Sequence, residues 1–172
     1  MPSMKILLIA GGWSSEREVS LTGARGMQEA LLKRGHAVTF FDLLENFDEL
    51  LETARQHDFA LINLHGSPGE DGLVQAMLEK ADCPYQGSGP SGSFLALNKA
   101  AAKQIFRMAG LPTADWEFLP VRPAEGWEPR LPWPLFVKTT TGGSSLRLGR
   151  ATNRQELDAL MDEIFAAGEG VL

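Results

Sequence analysis

An α/β fold built on a parallel, doubly wound sheet is predicted by three features of the 172-residue chain. Apolar runs of strand length recur at 4–10, 36–43 and 59–64, segments with helical periodicity separate them, and glycine-rich loops follow the first and third. Strands alternating with helices at this spacing need crossover connections, the connections of parallel sheets. Ligands of such sheets bind beyond the carboxyl ends of the strands, so the loops found there are the first candidates for a site.

The first run, MKILLIA, is continuously apolar, as a strand covered on both faces requires. It ends at Gly11-Gly12, and Val19, Leu21, Ala24, Met27, Leu31 and Leu32 then mark a helix that stops at Gly35, a residue suited to a helix C-terminus. HAVTFFDL is the second strand, NFDELLETARQH the second helix and FALINL the third strand. The loop HGSPGEDG, a helix LVQAMLEK and a turn PYQGSG complete this part. One long helix is expected from about Ser91 to Met108, halted by Leu111-Pro112. Beyond it DWEFLPV reads as a strand, the proline-rich stretch from Val121 to Pro134 as a surface excursion, and PLFVKT and LRLGRA as strands around the loop TTGGSS. A final helix starts at Asn153, whose side chain can cap it with Glu156 three residues on. The closing GEGVL reads as the start of a strand without a partner, so the sequence is expected to end inside a domain. The expected division is a substrate domain over residues 1–95 and the start of a second, incomplete domain over 96–172.

Composition bounds the function. At 44% hydrophobic and 22% charged residues the chain has the make-up of a folded globular protein. A net charge of -6 argues against non-specific nucleic-acid binding, which needs an excess of Lys and Arg. One cysteine, Cys83, cannot form an internal disulfide, and neither a secretory signal nor an apolar run of spanning length is present. A cytoplasmic protein with no nucleic-acid or membrane partner is therefore expected.

Four segments can carry chemistry. In GGWSSEREVS, Ser14 or Ser15 can cap the first helix, and Glu16 stands where a carboxylate could hold a substrate ammonium; favourable placement against the positive helix end explains the same acid more simply. In HGSPGEDG, three glycines, a proline, a histidine and two acids leave little to pack a core. His65 can bond a substrate carboxylate or shuttle a proton, or satisfy a buried carbonyl, and Asp71 can cap the following helix. No second His or Cys stands at ligand spacing, so no metal is expected, and His36 and His57 read as solvated surface residues. GSGPSG matches GxGxxG, but a dinucleotide fingerprint belongs after the first strand, so a turn whose amides could face an anion is the better reading. Lys99 and Lys103 lie one helical turn apart and read by default as surface lysines. Lys138 differs, because a cation ending an apolar strand beside TTTGGSS stands within reach of a phosphate. That segment lacks the Walker A pattern, and a flexible loop with a strand lysine, as in kinases, is the closer analogy.

Taken in order, GGWSSEREVSL, HGSPGEDGLVQAMLE, PYQGSGPSGSFLALNKAAAK, AGLPT and FVKTTTGGSS resemble the successive motifs of the D-alanine-D-alanine ligases of the ATP-grasp superfamily, over nearly the whole chain. The resemblance implies a Rossmann-like pre-ATP-grasp domain with a parallel sheet, followed by a partial ATP-grasp subdomain. It implies that ATP phosphorylates one D-alanine carboxylate and that the amine of a second D-alanine attacks, for peptidoglycan synthesis and cell-wall biogenesis. By motif position Glu16 would hold the first D-alanine's ammonium, with His65 in the same substrate pocket. Lys99 and Lys138 would contact ATP phosphates. Ser144 would lie in the mobile glycine loop that closes on them and links to the Glu16 side, with Ser145 beside it. ATP and Mg are the implied cofactors, and D-alanine and ATP the implied partners, with a homodimer the common assembly. The family's adenine hinge, transition-state arginine and Mg ligands are expected outside these residues, so the chain by itself is expected to be inactive.

The chain departs from the family at Asn98, where an aspartate is usual, at Thr139 in place of proline, at Gly142 in place of an acid, and at Leu146-Arg147 in place of Val-Gly. Two other classes are compatible with the residues alone. One is a non-catalytic module on the same fold that binds a small molecule or a partner, and the other is the nucleotide-dependent oxidoreductase that GSGPSG would suggest.

Overall fold

The computed structural model describes residues 2–143 and 146–172, in two compact units, Met1–Phe94 and Leu95–Leu172. In the first unit β1 (Lys5–Ala10) is the central strand of a parallel sheet, with β2 (Ala37–Asp42) on one side and β3 (Phe59–Ile62) on the other. The register pairs Lys5 with Ala37 through Ala10 with Asp42, and Ile6 with Phe59 through Ile9 with Ile62. Tyr85 adds one parallel bridge to Ala60 beyond β3.

Both faces of the sheet are covered, which explains the uninterrupted apolar sequence of β1. Leu8 and Ala10 pack with Ala24 and Leu21 of α1 (Arg17–Lys33). Leu7 and Ile9 point the other way, into a core shared with Leu50 and Ala54 of α3 (Leu50–Ala54) and Val74 and Leu78 of α4 (Leu73–Lys80). The alternation follows from the two-residue period of a strand.

The second helix expected from the sequence is broken. It consists of α2 (Leu43–Asn46), a 3-10 turn at Phe47–Glu49, and α3. Asp42 accepts a hydrogen bond from Leu44 N at 3.1 Å and starts the helical segment earlier than its apolar pattern suggests. His36 and His57 are not simply solvated. His36 Nδ1 accepts from Met4 N at 3.3 Å, and the two ring nitrogens of His57 lie 2.7 Å from Thr53 O and 2.8 Å from Thr39 Oγ1, so both half-buried imidazoles tie strands to neighbouring turns.

The expected long helix is two helices, α5 (Pro90–Leu97) and α6 (Lys99–Met108). Asn98 adopts an extended conformation between them, and its side chain accepts from Ala101 N at 3.0 Å. Apolar composition continues through this point and hides the break, whereas the capping chemistry of asparagine reveals it.

In the second unit β4 (Leu135–Val137) and β5 (Gly149–Ala151) form an antiparallel pair against α7 (Arg154–Ala166). Val137, Ala151, Leu157, Met161, Ile164 and Val171 make the core. A Cβ on Gly149 would overlap the side chain of Leu160, so glycine there lets α7 approach β5. Asn153 caps α7 by accepting from Glu156 N at 3.0 Å, while the Glu156 carboxylate accepts from Thr152 N at 2.7 Å.

Two expectations for this unit are corrected, and a third is refined. The closing residues are partnered, because Val171 exchanges backbone hydrogen bonds of 2.9 Å with Leu119, and Leu172 pairs with Lys138 on the other side. DWEFLPV contributes only that bridge at Leu119 rather than a strand. The proline-rich excursion is largely exposed yet anchored: Glu117 accepts from Arg130 N and Leu131 N, and Trp127 packs against the core.

Candidate functional site

Each unit carries its own cluster of candidate residues. In the first, the turn after β1 is shaped by Gly11 and Gly12, both at φ +77°, a region that costs glycine little. Gly11 N donates to Ser20 Oγ at 2.8 Å, and the buried Ser20 hydroxyl donates to Asn63 O. Asn63 Nδ2 returns a bond to Ser20 O at 2.7 Å. These bonds stitch the start of α1 to the carboxyl ends of β1 and β3.

A second tie crosses to β2. Arg17 Nη1 and Nη2 donate to the two carboxylate oxygens of Asp42 at 2.7 and 2.6 Å. The guanidinium holds the Asp42 carboxyl below the ordinary aspartate range against the opposing effect of burial. Glu16, one residue before Arg17, is thereby fixed at the ligand end of the sheet. Neither serine caps α1 as expected, since the helix begins after Glu16 with no side-chain cap. Ser14 Oγ instead accepts from Glu16 N at 3.2 Å and donates to His65 O at 2.7 Å.

That last bond brings the two predicted loops together. A Cβ on Gly66 would lie 3.4 Å from Ser14 Cβ and 3.9 Å from Glu16 Oε2, so the Glu16 carboxylate stands over the backbone beside His65. Below it the loop is rigidly built. Pro68 is fully buried, Gln75 Nε2 donates to Gly69 O at 2.5 Å, and Asp71 accepts from Leu73 N at 3.0 Å at the start of α4, as the sequence suggested. The structure therefore juxtaposes Glu16 and half-buried His65. Sequence reasoning missed the positioning pair Arg17 and Asp42, whose only local signal was an acid closing one strand and a base opening the helix of its neighbour.

In the second unit Lys99 opens α6 and Lys138 directly follows β4. Lys99 and Lys103 are not loose surface lysines. Lys99 Nζ donates to Thr140 O at 3.4 Å and to Gly142 O, while Lys103 Nζ donates to Thr113 Oγ1 at 2.7 Å and Ala114 O at 2.9 Å. Burial, and then the charge of Lys138, push both ammonium groups below the ordinary lysine value. Glu169 and Asp115 offset this only in part.

Lys138 thus acts on both other lysines, and with Lys103, but not Lys99, it borders a cavity of about 420 Å³. Lys103 and Lys138 line it together with the acids Asp115 and Glu117 and an apolar wall that includes Leu119, Leu135, Phe136 and Met161. The buried hydroxyl of Thr140 has no hydrogen-bond partner among the described residues. Ser144 and Ser145 lie outside the described residues. Among those described, no group of three or more His, Cys, Asp or Glu could hold a metal ion, and no helix is long and apolar enough to cross a membrane. GSGPSG follows the Tyr85 bridge and leads into α5, so it is not the turn after β1 that a dinucleotide fingerprint needs.

Comparison with known proteins agrees with the sequence resemblance. No protein-family profile matches the chain. It is 75% identical over 169 residues to a D-alanine-D-alanine ligase of Desulfovibrio desulfuricans, a match that covers 98% of this chain and 55% of that protein. A ligase of the same name from Nitratidesulfovibrio vulgaris is 63% identical over 170 residues, with 98% and 56% covered. The crystal structure of D-alanine-D-alanine ligase from Bacillus anthracis superposes with a TM-score of 0.86 at 35% identity, over 98% of this chain and 56% of that one. A crystal structure of D-alanine-D-alanine ligase from Bacillus anthracis complexed with ATP gives 0.83 at 32% identity. The chain spans about half the length of the relatives it matches, and it is related over that span to the D-alanine-D-alanine ligases, as an N-terminal portion of them.

Proposed function

We propose that this chain supplies the first-substrate and phosphate-binding parts of an ATP-dependent ligase that joins two D-alanines. The observation that carries the reading is the closeness of Lys138 to both Lys99 and Lys103, beside a cavity that Lys103 and Lys138 help to line. Partly desolvated ammonium groups that a third cation pushes below the ordinary lysine value are a site in want of an anion. A polyphosphate would relieve the repulsion between the lysines, and the amides of the glycine loop would add neutral donors.

In this reading Glu16 holds the ammonium of the first D-alanine and His65 lines the same pocket. Lys99 and Lys138 hold the ATP phosphates, and Ser144 and Ser145 belong to the loop that closes on them. The D-alanine carboxylate attacks the γ-phosphorus and ADP departs, leaving an acyl phosphate. The amine of the second D-alanine then attacks its carbonyl carbon and expels phosphate, and the dipeptide serves peptidoglycan synthesis. Positioning and charge neutralisation supply most of the catalysis in such a transfer, so the ligands for Mg are essential. They are assigned to the part of the ligase length that these residues do not span. The protein would act in the cytoplasm, and the dimer implied by the resemblance would form from the complete ligase.

Calorimetric titration of D-alanine into the wild-type chain and into Glu16→Ala tests the substrate half. Saturable heat in the wild type that is lost in the variant is expected. Equal heats in both would remove Glu16 from the site.

A further inference from the structure

The ammonium of Lys99 is engaged by the backbone of its own unit. It donates to the carbonyls of Thr140 and Gly142, and the backbone N–H of Lys99 also donates to Thr140 O at 3.0 Å. The segment it grips is the stem of the glycine loop, whose first residues are also paired with the closing residues of the chain: Thr140 N donates to Gly170 O at 2.9 Å and Thr139 bridges to Val171. Gly142 N donates to Thr139 Oγ1 at 3.0 Å, and Thr141 Oγ1 donates to Glu169 at 2.5 Å. Gly142 has no side chain of its own to anchor it.

We propose that Lys99 is a positioning residue for the glycine loop as well as a phosphate ligand: its ammonium clamps the carbonyls of Thr140 and Gly142, and an incoming phosphate must compete with them. A lysine ammonium has three donors. Two are committed to the stem, so a phosphate that takes more than one of them releases the Gly142 carbonyl, while Thr140 O keeps the bond from Lys99 N. Glu169 has a supporting part, since its carboxylate accepts from Thr141 and its charge favours the protonated form of Lys99. The Asn98 cap fixes the first turn of α6 and so sets where the Lys99 stem begins.

The competition rests on the nucleotide reading above, whereas the clamp does not, and the experiment separates them. Amide hydrogen exchange is followed in peptides covering residues 139–143 of the 172-residue chain, first with no nucleotide. Lys99→Met is expected to exchange there about tenfold faster than wild type, the effect of losing a charge-assisted bond, while β1 and α7 peptides stay unchanged. Lys99→Arg, which keeps a cation, should recover most of the protection. Unchanged exchange in Lys99→Met overturns the clamp, as does equally fast exchange in Lys99→Arg and Lys99→Met. Should Lys99→Met fail to fold, acylation of the wild type decides: Lys99 is expected to react several-fold more slowly than exposed Lys80, and equal rates overturn the clamp. Mg-ATP is then added to the wild type. Faster exchange at 139–143 on binding supports the competition, and binding without that change overturns it. Absence of any ATP binding defeats the nucleotide reading and with it the competition, while the clamp is still decided by the first measurement.

Discussion

Replacing Asp42 by alanine removes the pair that locks the Glu16 turn to the sheet. Two charge-assisted bonds to Arg17 are lost, and Arg17 is left only 24% exposed beside the Gly12 carbonyl. Bonds to charged groups contribute about 1.5–3 kcal/mol each where water is excluded, and the partial exposure of both partners brings the pair to roughly 2 kcal/mol. Loss of the acceptor for Leu44 N adds about 1 kcal/mol, for a total near 3 kcal/mol. Because the chain contains two compact units, the suitable assay is amide exchange in β1, which reports the opening of the first unit alone. The slowest amides should exchange on the order of a hundredfold faster.

The pH dependence has a fixed sign. Asp42 has a lowered pKa in the folded chain, so its contribution is fully present above the unfolded carboxylate value and disappears as pH falls through the folded one. The difference between wild type and Asp42→Ala should therefore be constant near neutrality and shrink in acid. A change below about 0.5 kcal/mol at neutral pH, or no coupling in a double-mutant cycle with Arg17→Met, would show that the pair behaves as an ordinary exposed ion pair and does not position the turn.

Two further outcomes follow from packing and charge. Gly69→Ala would drive a methyl into Leu64 Cβ and within 3.2 Å of its Cα, beside the bond from Gln75, and should cost about 2 kcal/mol by overpacking, seen as faster exchange in β3 and α4. In the second unit Lys99 and Lys103 have lowered pKa values, so the unfolded chain binds more protons between those values and the ordinary lysine value of 10.5. Stability of this unit should rise with pH across that alkaline window and flatten in Lys103→Met, as read from exchange-competent opening of α7.

The elements with strong periodicity were legible in the sequence. β1 and α1 follow from an unbroken apolar run and a helical stripe ending at Gly35, which adopts φ +83°. That the loops of Glu16 and His65 lie at one edge was legible too, because both follow strands of a parallel sheet, whereas their place in one pocket was implied only by the family resemblance. What stayed hidden depends on partners distant in sequence. The Arg17 and Asp42 pair spans 25 residues, and the anchoring of the closing residues between Leu119 and 138–140 joins segments 30 or more residues apart, a pairing that no local pattern specifies. The α5–α6 break was hidden for another reason, since one asparagine in an apolar stretch leaves helical periodicity almost untouched. Lys103 read as a surface residue because its stem packs beside Trp116, with Nζ 5.2 Å from the ring centre, a contact no local pattern announces.

The account turns on the lysine cluster of the second unit being a phosphate site. Isothermal titration of Mg-ATP into the purified chain and into Lys138→Met measures this most directly. Saturable binding to the wild type is predicted, weakened by added salt and by about tenfold or more in the variant. No saturable heat at millimolar nucleotide, or equal affinity in the two proteins, would contradict it.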